Sequence, residues 1–265
     1  MTKKPTAILT APLRWISSAI LAMLFPSALP AVTLSDSQAL EIGRRIWKNE
    51  CGGTLAGLTS WNSGEDFASL GIGHFIWYPQ EKRGPYEESF PPLAAFLAAQ
   101  GIKVPPWMRG PCVWKTRQEF QADQNSSRME ELRTLLAATI PQQARFAAQR
   151  LERALPKMLA AAPKGEGDRV KNNFQRVASQ PLGYYALMDY VNFKGEGISP
   201  SERYRGQGWG LLQVLETMPT SGNPLSGFAQ AADQVLTRRV KNSPPARNEA
   251  QWLPGWRNRL KTYTR

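Results

Sequence analysis

Along residues 34–50 the apolar positions fall at Ala39, Ile42 and Ile46, spacings of three and four that Glu50 continues, so the stretch reads as an amphipathic helix whose stripe ends in a carboxylate. Ser35, with Gln38 three positions on, supplies a capping box at its start, and Cys51-Gly52-Gly53 stops it. Residues 54–61 and 67–78 change the pattern. They are rich in Thr, Phe, Ile and Trp and flank the turn signal Asn62-Ser63-Gly64-Glu65, which predicts a β-hairpin beside the helix end. Gly71 and Gly73, two apart in the second strand, either mark a bulge or leave one strand face bare, where a sugar ring or another backbone can approach.

Beyond Tyr78 the period returns to that of helices. Residues 93–100 end at Gly101, Ser127 with Glu130 caps 129–139, and Pro141 opens 142–162, with a kink expected at Pro156. Pro181 introduces the segment carrying 184–193, Ser199-Pro200-Ser201-Glu202 opens another helix, and 223–240 and 249–263 complete the set. Gly210-Leu211-Leu212-Gln213 reads as a helix start. Residues 84–92 and 101–111 are Pro-rich loops, and 164–167 is a flexible connector. The class is therefore mainly α (α+β), with one small antiparallel hairpin or sheet next to the first helix.

The N-terminus adds a destination. Lys3, Lys4 and Arg14 precede the apolar run 15–25, and small residues with prolines lead to Ala31, the layout of a signal peptide over residues 1–31. The run is short for a transmembrane helix, and an uncleaved anchor would export the remainder too. The expectation is one catalytic domain over 32–265, periplasmic or secreted, with no stable membrane span after processing.

Charge narrows the partners. The chain carries a formal +12, and loss of residues 1–31 removes three cations and no acid, leaving +9. Such a surface attracts anionic polymers: cell-wall glycan with its peptide carboxylates, teichoic acids, lipid headgroups or nucleic acid. Lys and Arg are spread along the chain and no nucleic-acid-binding module is recognisable, so nucleic acid is not the expected partner. In an oxidising compartment a disulfide between Cys51 and Cys112 is allowed; it would close a loop of about 60 residues and contribute roughly 4 kcal/mol. Two free buried thiols fit the sequence as well. His74 is the sole histidine, and with two cysteines it leaves a zinc site no ligand set, so neither metal nor cofactor is expected.

The candidate chemistry starts at Glu50. A carboxyl on a buried face loses hydration in its charged form, which favours the protonated state that a general acid for a glycosidic oxygen needs. Arg44, Arg45 and Lys48 lie off the stripe and would oppose this if they folded inward, and a Glu at a fraying helix end facing solvent is the competing reading. Glycoside hydrolysis ordinarily adds a second, ionised carboxylate, whose distance from the first decides inversion or retention.

The series helix, Glu50, hairpin and Gly71-Ile72-Gly73-His74 resembles the catalytic half of phage-type lysozymes in the lysozyme-like superfamily. Residues 186–197, Ala-Leu running to Phe193 and Gly195, resemble the later-lobe helix of the same family. The two segments cover about 45 residues. The resemblance implies a lysozyme-like two-lobed fold, Glu50 as general acid, Ser69 as the hydroxyl that helps to position water, and His74 as a structural partner near the cleft. The family's second carboxylate would fall on Ser63, so Glu65 or Asp66 takes its place through a shifted turn, or Glu50 acts without one.

Sugar rings stack on aromatic faces. Trp61 and Tyr78 are accordingly candidate platforms, with Gly71 and Gly73 beside them as substrate-binding positions, and Asp189 and Glu196 face either the cleft or solvent. The implied function is an exported, monomeric glycoside hydrolase of lysozyme or muramidase type acting on peptidoglycan. Alternatives are a lytic transglycosylase, a chitosanase-like enzyme on deacetylated glycan, and a catalytically inactive cell-wall-binding module.

Overall fold

The computed structural model describes residues 34–84, 86–200 and 202–265; the expected leader, residues 1–31, lies outside them. Helix α1 (Asp36–Cys51) leads to the strands β1 (Thr59–Ser60), β2 (Ala68–Leu70) and β3 (Phe75–Trp77). Then follow α2 (Phe90–Ala99), α3 (Arg117–Ala122), α4 (Ser127–Ala138), α5 (Ile140–Ala161), α6 (Gly167–Ala178) and α7 (Gly183–Lys194). A second pair of strands, β4 (Arg203–Tyr204) and β5 (Gln207–Gly208), precedes α8 (Leu211–Thr217), α9 (Pro224–Asn242) and α10 (Leu253–Leu260). The described chain is thus mainly helical with two small antiparallel sheets.

Helix α1 begins with the expected reciprocal cap: Ser35 N donates to Gln38 Oε1 at 3.0 Å and Gln38 N to Ser35 Oγ at 3.2 Å. It ends where Gly52 enters the left-handed region at φ 62°. Ala39, Ile42 and Ile46 are buried as the spacing predicts, and the helix lies along α5. Gly43 permits that approach, because a Cβ there would stand 2.5 Å from the Ile140 side chain.

The expected two-stranded hairpin is a sheet of three short strands. The sheet runs β1-β2-β3, pairing Thr59 with Leu70 and Ser60 with Ser69, then Ala68 with Trp77, Ser69 with Ile76 and Leu70 with Phe75. The second strand expected over 67–78 is broken by a turn at residues 71–74, since Gly71 (φ 67°) and His74 (φ 46°) adopt left-handed backbone that no strand continues through. Of the two readings of Gly71 and Gly73, the bare strand face is absent for the same reason. A Cβ at Gly71 would stand 2.3 Å from Gln143 Oε1, and one at Gly73 2.7 Å from the Phe75 ring, so both glycines make room for protein.

Elsewhere α4, α5, α7 and α9 lie close to their expected spans, with Ser126 rather than Ser127 capping α4 through Met129 N at 3.1 Å. Gly210 caps α8 as anticipated, Gln213 accepting from its N–H at 3.1 Å. The helix expected to open at residues 199–202 does not form. Glu202 instead accepts the Gly197 N–H at 2.7 Å, and Arg205 (φ 51°) with Gly206 (φ 76°) makes the two-residue turn that joins β4 to β5. Helices α3 and α6 were not foreseen, although Val170, Asn173, Phe174 and Val177 are buried in α6 at helical spacing.

Glu249 pins the C-terminal segment. It is 1 % exposed and accepts two hydrogen bonds from Arg239, at 2.7 and 2.9 Å, one from the Tyr204 hydroxyl at 2.8 Å, and pairs with Arg247 at 3.2 Å. Burial works against its charge, but Arg239 and Tyr204 outweigh it and hold the carboxyl below the ordinary glutamate range.

Both thiols are free and buried, the second of the two states that the sequence allowed for Cys51 and Cys112. Each is buried against its own neighbours: Cys51 Sγ lies 3.6 Å from the Gly71 carbonyl, and Cys112 runs beside Pro79 with its N–H on the Tyr78 carbonyl at 3.2 Å. Burial pushes each thiol up to about 12.

Two outcomes are expected. Glu249→Ala strands Arg239 without its carboxylate and destabilises the fold by about 3–5 kcal/mol in urea unfolding at pH 7. Because the folded carboxyl is held low, this contribution is complete above the unfolded glutamate value and fades as pH falls through the depressed one. A thiol-specific chromogenic reagent gives no prompt signal with the native chain and two equivalents after denaturation without reductant.

Candidate active site

Glu50 occupies the last turn of α1, and its side chain is 11 % exposed. Its Oε1 accepts from Nη2 of Arg259. Arg259 is in turn held by Asp189, Nε to Oδ2 at 2.8 Å and Nη2 to Oδ1 at 2.9 Å, a two-pronged match of guanidinium to carboxylate. Asp189 has no exposed surface, and its remaining acceptor capacity is used by the Tyr263 hydroxyl at 2.7 Å and Asn49 Nδ2 at 3.1 Å. Asn49 also reaches the Tyr185 hydroxyl at 2.8 Å, which shares a 2.5 Å hydrogen bond with Thr262 Oγ1.

Local helical geometry accounts for this convergence. Tyr185 and Asp189 are four apart on α7, so they present to one face, and Arg259, Thr262 and Tyr263 are three and four apart where α10 runs into a final 3₁₀ turn. Burial alone would weaken the charge of Arg259. The hydrogen bonds and charge of Asp189, joined by Glu50, more than offset that and raise the guanidinium above its ordinary range. Burial, with the charge of Asp189, pushes Tyr263 and Tyr185 up as well, so both phenols stay protonated as donors.

His74 approaches Glu50 from the β2–β3 turn. Its Nδ1 is 3.7 Å from Glu50 Oε2, beyond hydrogen-bond length, and 38 % of its side chain is exposed, so the site opens to solvent on this side. Gln143, wholly buried near the start of α5, fixes the turn: its Oε1 accepts the Ile72 N–H at 3.0 Å while its Nε2 donates to the Leu136 carbonyl at 2.6 Å and to Thr139 Oγ1 at 3.0 Å. Gly71 N adds a hydrogen bond to the Leu58 carbonyl at 2.8 Å.

The other expected residues divide. Ser69 lies in β2, 4 % exposed, on the face opposite Ala68 and Leu70. Glu65 accepts from Asn62 Nδ2 at 3.1 Å within its own turn, and Asp66, 73 % exposed, pairs with Lys82 at 3.1 Å, so both acids are engaged away from Glu50. Trp61 and Tyr78 are not exposed platforms. Trp61 packs on Phe120 and donates to the Glu65 carbonyl at 2.7 Å, and Tyr78 packs edge-on to Phe67; at 6 % and 1 % exposure neither offers a face to a sugar. Burial raises the carboxyl of Glu196, half-buried in a separate patch with Lys157, Arg150 and Glu87. Among the described residues no cluster of three or more His, Cys, Asp or Glu is placed to hold a metal ion.

Arg259, rather than Arg44, Arg45 or Lys48, is the inward cation that the sequence set against a general acid at Glu50; the same guanidinium would stabilise the carboxylate left after a donation. Arg259, Asn49, Tyr263 and Gln143 were not foreseen. The one usable signal was Asp189 within the apolar run of α7, since a buried acid requires a buried base; nothing in the sequence says which of 33 lysines and arginines provides it.

Asp189→Ala is expected to cost about 3–5 kcal/mol of stability in urea unfolding, by leaving Arg259 half-buried without its main partner. The double change Asp189→Leu with Arg259→Met recovers part of that loss if the unpaired charge is its cause.

Comparison of the chain with family models, curated proteins and solved structures gives no match.

Proposed function

We propose that this chain cleaves the glycan strands of peptidoglycan, or of a related amino-sugar polymer, with Glu50 as general acid. The observation that carries the reading is the Glu50 carboxyl, largely withdrawn from water at the end of α1, with one oxygen fixed by Arg259 and the other turned to the open side at His74. Donation from Glu50 to the glycosidic oxygen breaks the bond to the anomeric carbon and leaves a carboxylate beside a guanidinium already in place. The stabilising charge needs no reorganisation at the moment of reaction. The basic surface also favours an anionic wall over a deacetylated, cationic glycan.

The engagement of Glu65 with Asn62 and of Asp66 with Lys82 favours one second reading. With Asp189 fully buried on Arg259 and the acids at 65 and 66 engaged elsewhere, a hydroxyl of the substrate itself can attack the anomeric carbon and return its proton to Glu50, giving an anhydro end instead of a reducing one. A water molecule held near Ser69 gives the hydrolytic product. The two products differ in mass by one water.

The purified chain is expected to clear a cell-wall suspension, and Glu50→Gln to slow clearing by about 10²–10⁴-fold with its thermal unfolding nearly unchanged. Mass spectrometry of the digest separates reducing from anhydro ends. A wild-type chain that binds walls without releasing fragments overturns the enzymatic reading and leaves a binding module.

A further inference from the structure

The last third of the described chain stacks cations and aromatic rings alternately. Arg239 lies 4.1 Å from the Trp209 ring centre and 5.3 Å from that of Trp256. Lys194 Nζ lies 3.6 Å from Trp256 and 3.9 Å from Phe193, and the guanidinium carbon of Arg259 is 4.4 Å from Phe193 on the way to Glu50. The outer cations each have carboxylates: Arg239 has Glu249, and Arg259 has Asp189 and Glu50. Lys194, half-buried between them, has neither hydrogen bond nor ion pair among the described residues.

Ring faces attract an ammonium but cannot accept its three N–H donors as a carboxylate does. The three charged groups that act on Lys194 are Arg239 and Arg259, which repel it, and Glu249, which is already committed to Arg239. Burial first, and then these repulsions, lower the amine to about 7. On Trp256, the ring that Lys194 faces, packs Trp252 with ring centres 6.1 Å apart; Trp252 is 42 % exposed, so the stack ends in an apolar face open to solvent.

We propose that Lys194 and Trp252 form a subsite for a carboxylate-bearing sugar, Trp252 taking the ring face and Lys194 the acid. This rests on the glycan reading of Glu50 and names the chemistry selected next to it. The shared feature is a carboxylate, borne either by an ether side arm of the sugar or by a peptide attached to it. Binding the carboxylate fills the missing acceptors of Lys194 and favours its ammonium form, so the complex takes up protons above neutrality.

Calorimetry on the Glu50→Gln chain, which keeps its probes intact, tests the subsite with three oligosaccharides of equal length. They are a chitin tetrasaccharide without carboxylates, a peptide-free tetrasaccharide alternating N-acetylglucosamine with N-acetylmuramic acid, and the same compound carrying its stem peptides. Lys194→Met is expected to weaken the muramic probe about tenfold and the chitin probe less than twofold, with Lys194→Arg retaining most of the affinity. At pH 8, titrations in two buffers of different ionisation enthalpy show proton uptake with the muramic probe, and Lys194→Met abolishes it. Trp252→Ala weakens all three probes. An effect of Lys194→Met only on the peptide-bearing probe assigns the acid to the peptide; an equal effect on chitin and muramic probes, or none on any, overturns the subsite while leaving the glycan reading intact. Failure of all three to bind overturns both.

Discussion

The buried pair of Asp189 and Arg259 is the interaction on which the site depends. A carboxylate with no exposed surface is tolerated only when its charge and lone pairs are met, and here Arg259, Tyr263 and Asn49 meet them together. The anion stands on α7, and its partners come from the end of α1 and from α10 with the turn that follows it. Satisfying one anion therefore fixes three parts of the chain relative to one another. Arg259 is left with a further donor, and it is this spare N–H that holds Glu50.

The opposite wall is held by a neutral device. Gln143 uses its amide oxygen on the Ile72 N–H and its amide nitrogen on α4 and on the residue linking α4 to α5, so the turn that carries His74 is bonded to the helical core rather than to the sheet alone. A small sheet of two- and three-residue strands has few ladder bonds with which to place a turn. A buried, fully used amide supplies what those strands lack. The site is thus bounded by charge compensation on one side and by backbone capture on the other, with Glu50 between them.

The same arrangement extends away from Glu50 through Phe193, Lys194 and Trp256 to Arg239 and Glu249. Rings separate like charges that would otherwise face one another, and carboxylates stand at both ends of the run. Lys194 lies at the middle, without an ion-paired carboxylate among the described residues. In the subsite we propose, a ligand acid is the complement to that gap.

Local regularities were readable without the fold. The period of α1, its capping box, the left-handed stop after Cys51 and the position of Glu50 on the buried stripe all follow from neighbouring residues, as do most helices after Tyr78. The turn at 71–74, by contrast, looked like strand because Ile72, Phe75 and Ile76 have strand-like side chains; only the space around Gly71, filled by Gln143 from 72 residues away, shows why the chain reverses there. Trp61 and Tyr78 were read as platforms because composition reports which rings exist and not which face water. Sequence by itself determined a helix ending in Glu50 and a hairpin close behind it, since hydrogen bonds between near neighbours and the helical period are local. Tertiary structure alone decided that Arg259 meets Glu50 across 209 positions, that Asp189 lies beneath them, and that the acids at 65 and 66 turn elsewhere. Those outcomes turn on which buried charges find one another when distant segments pack, and no pattern along a single stretch of chain encodes that pairing.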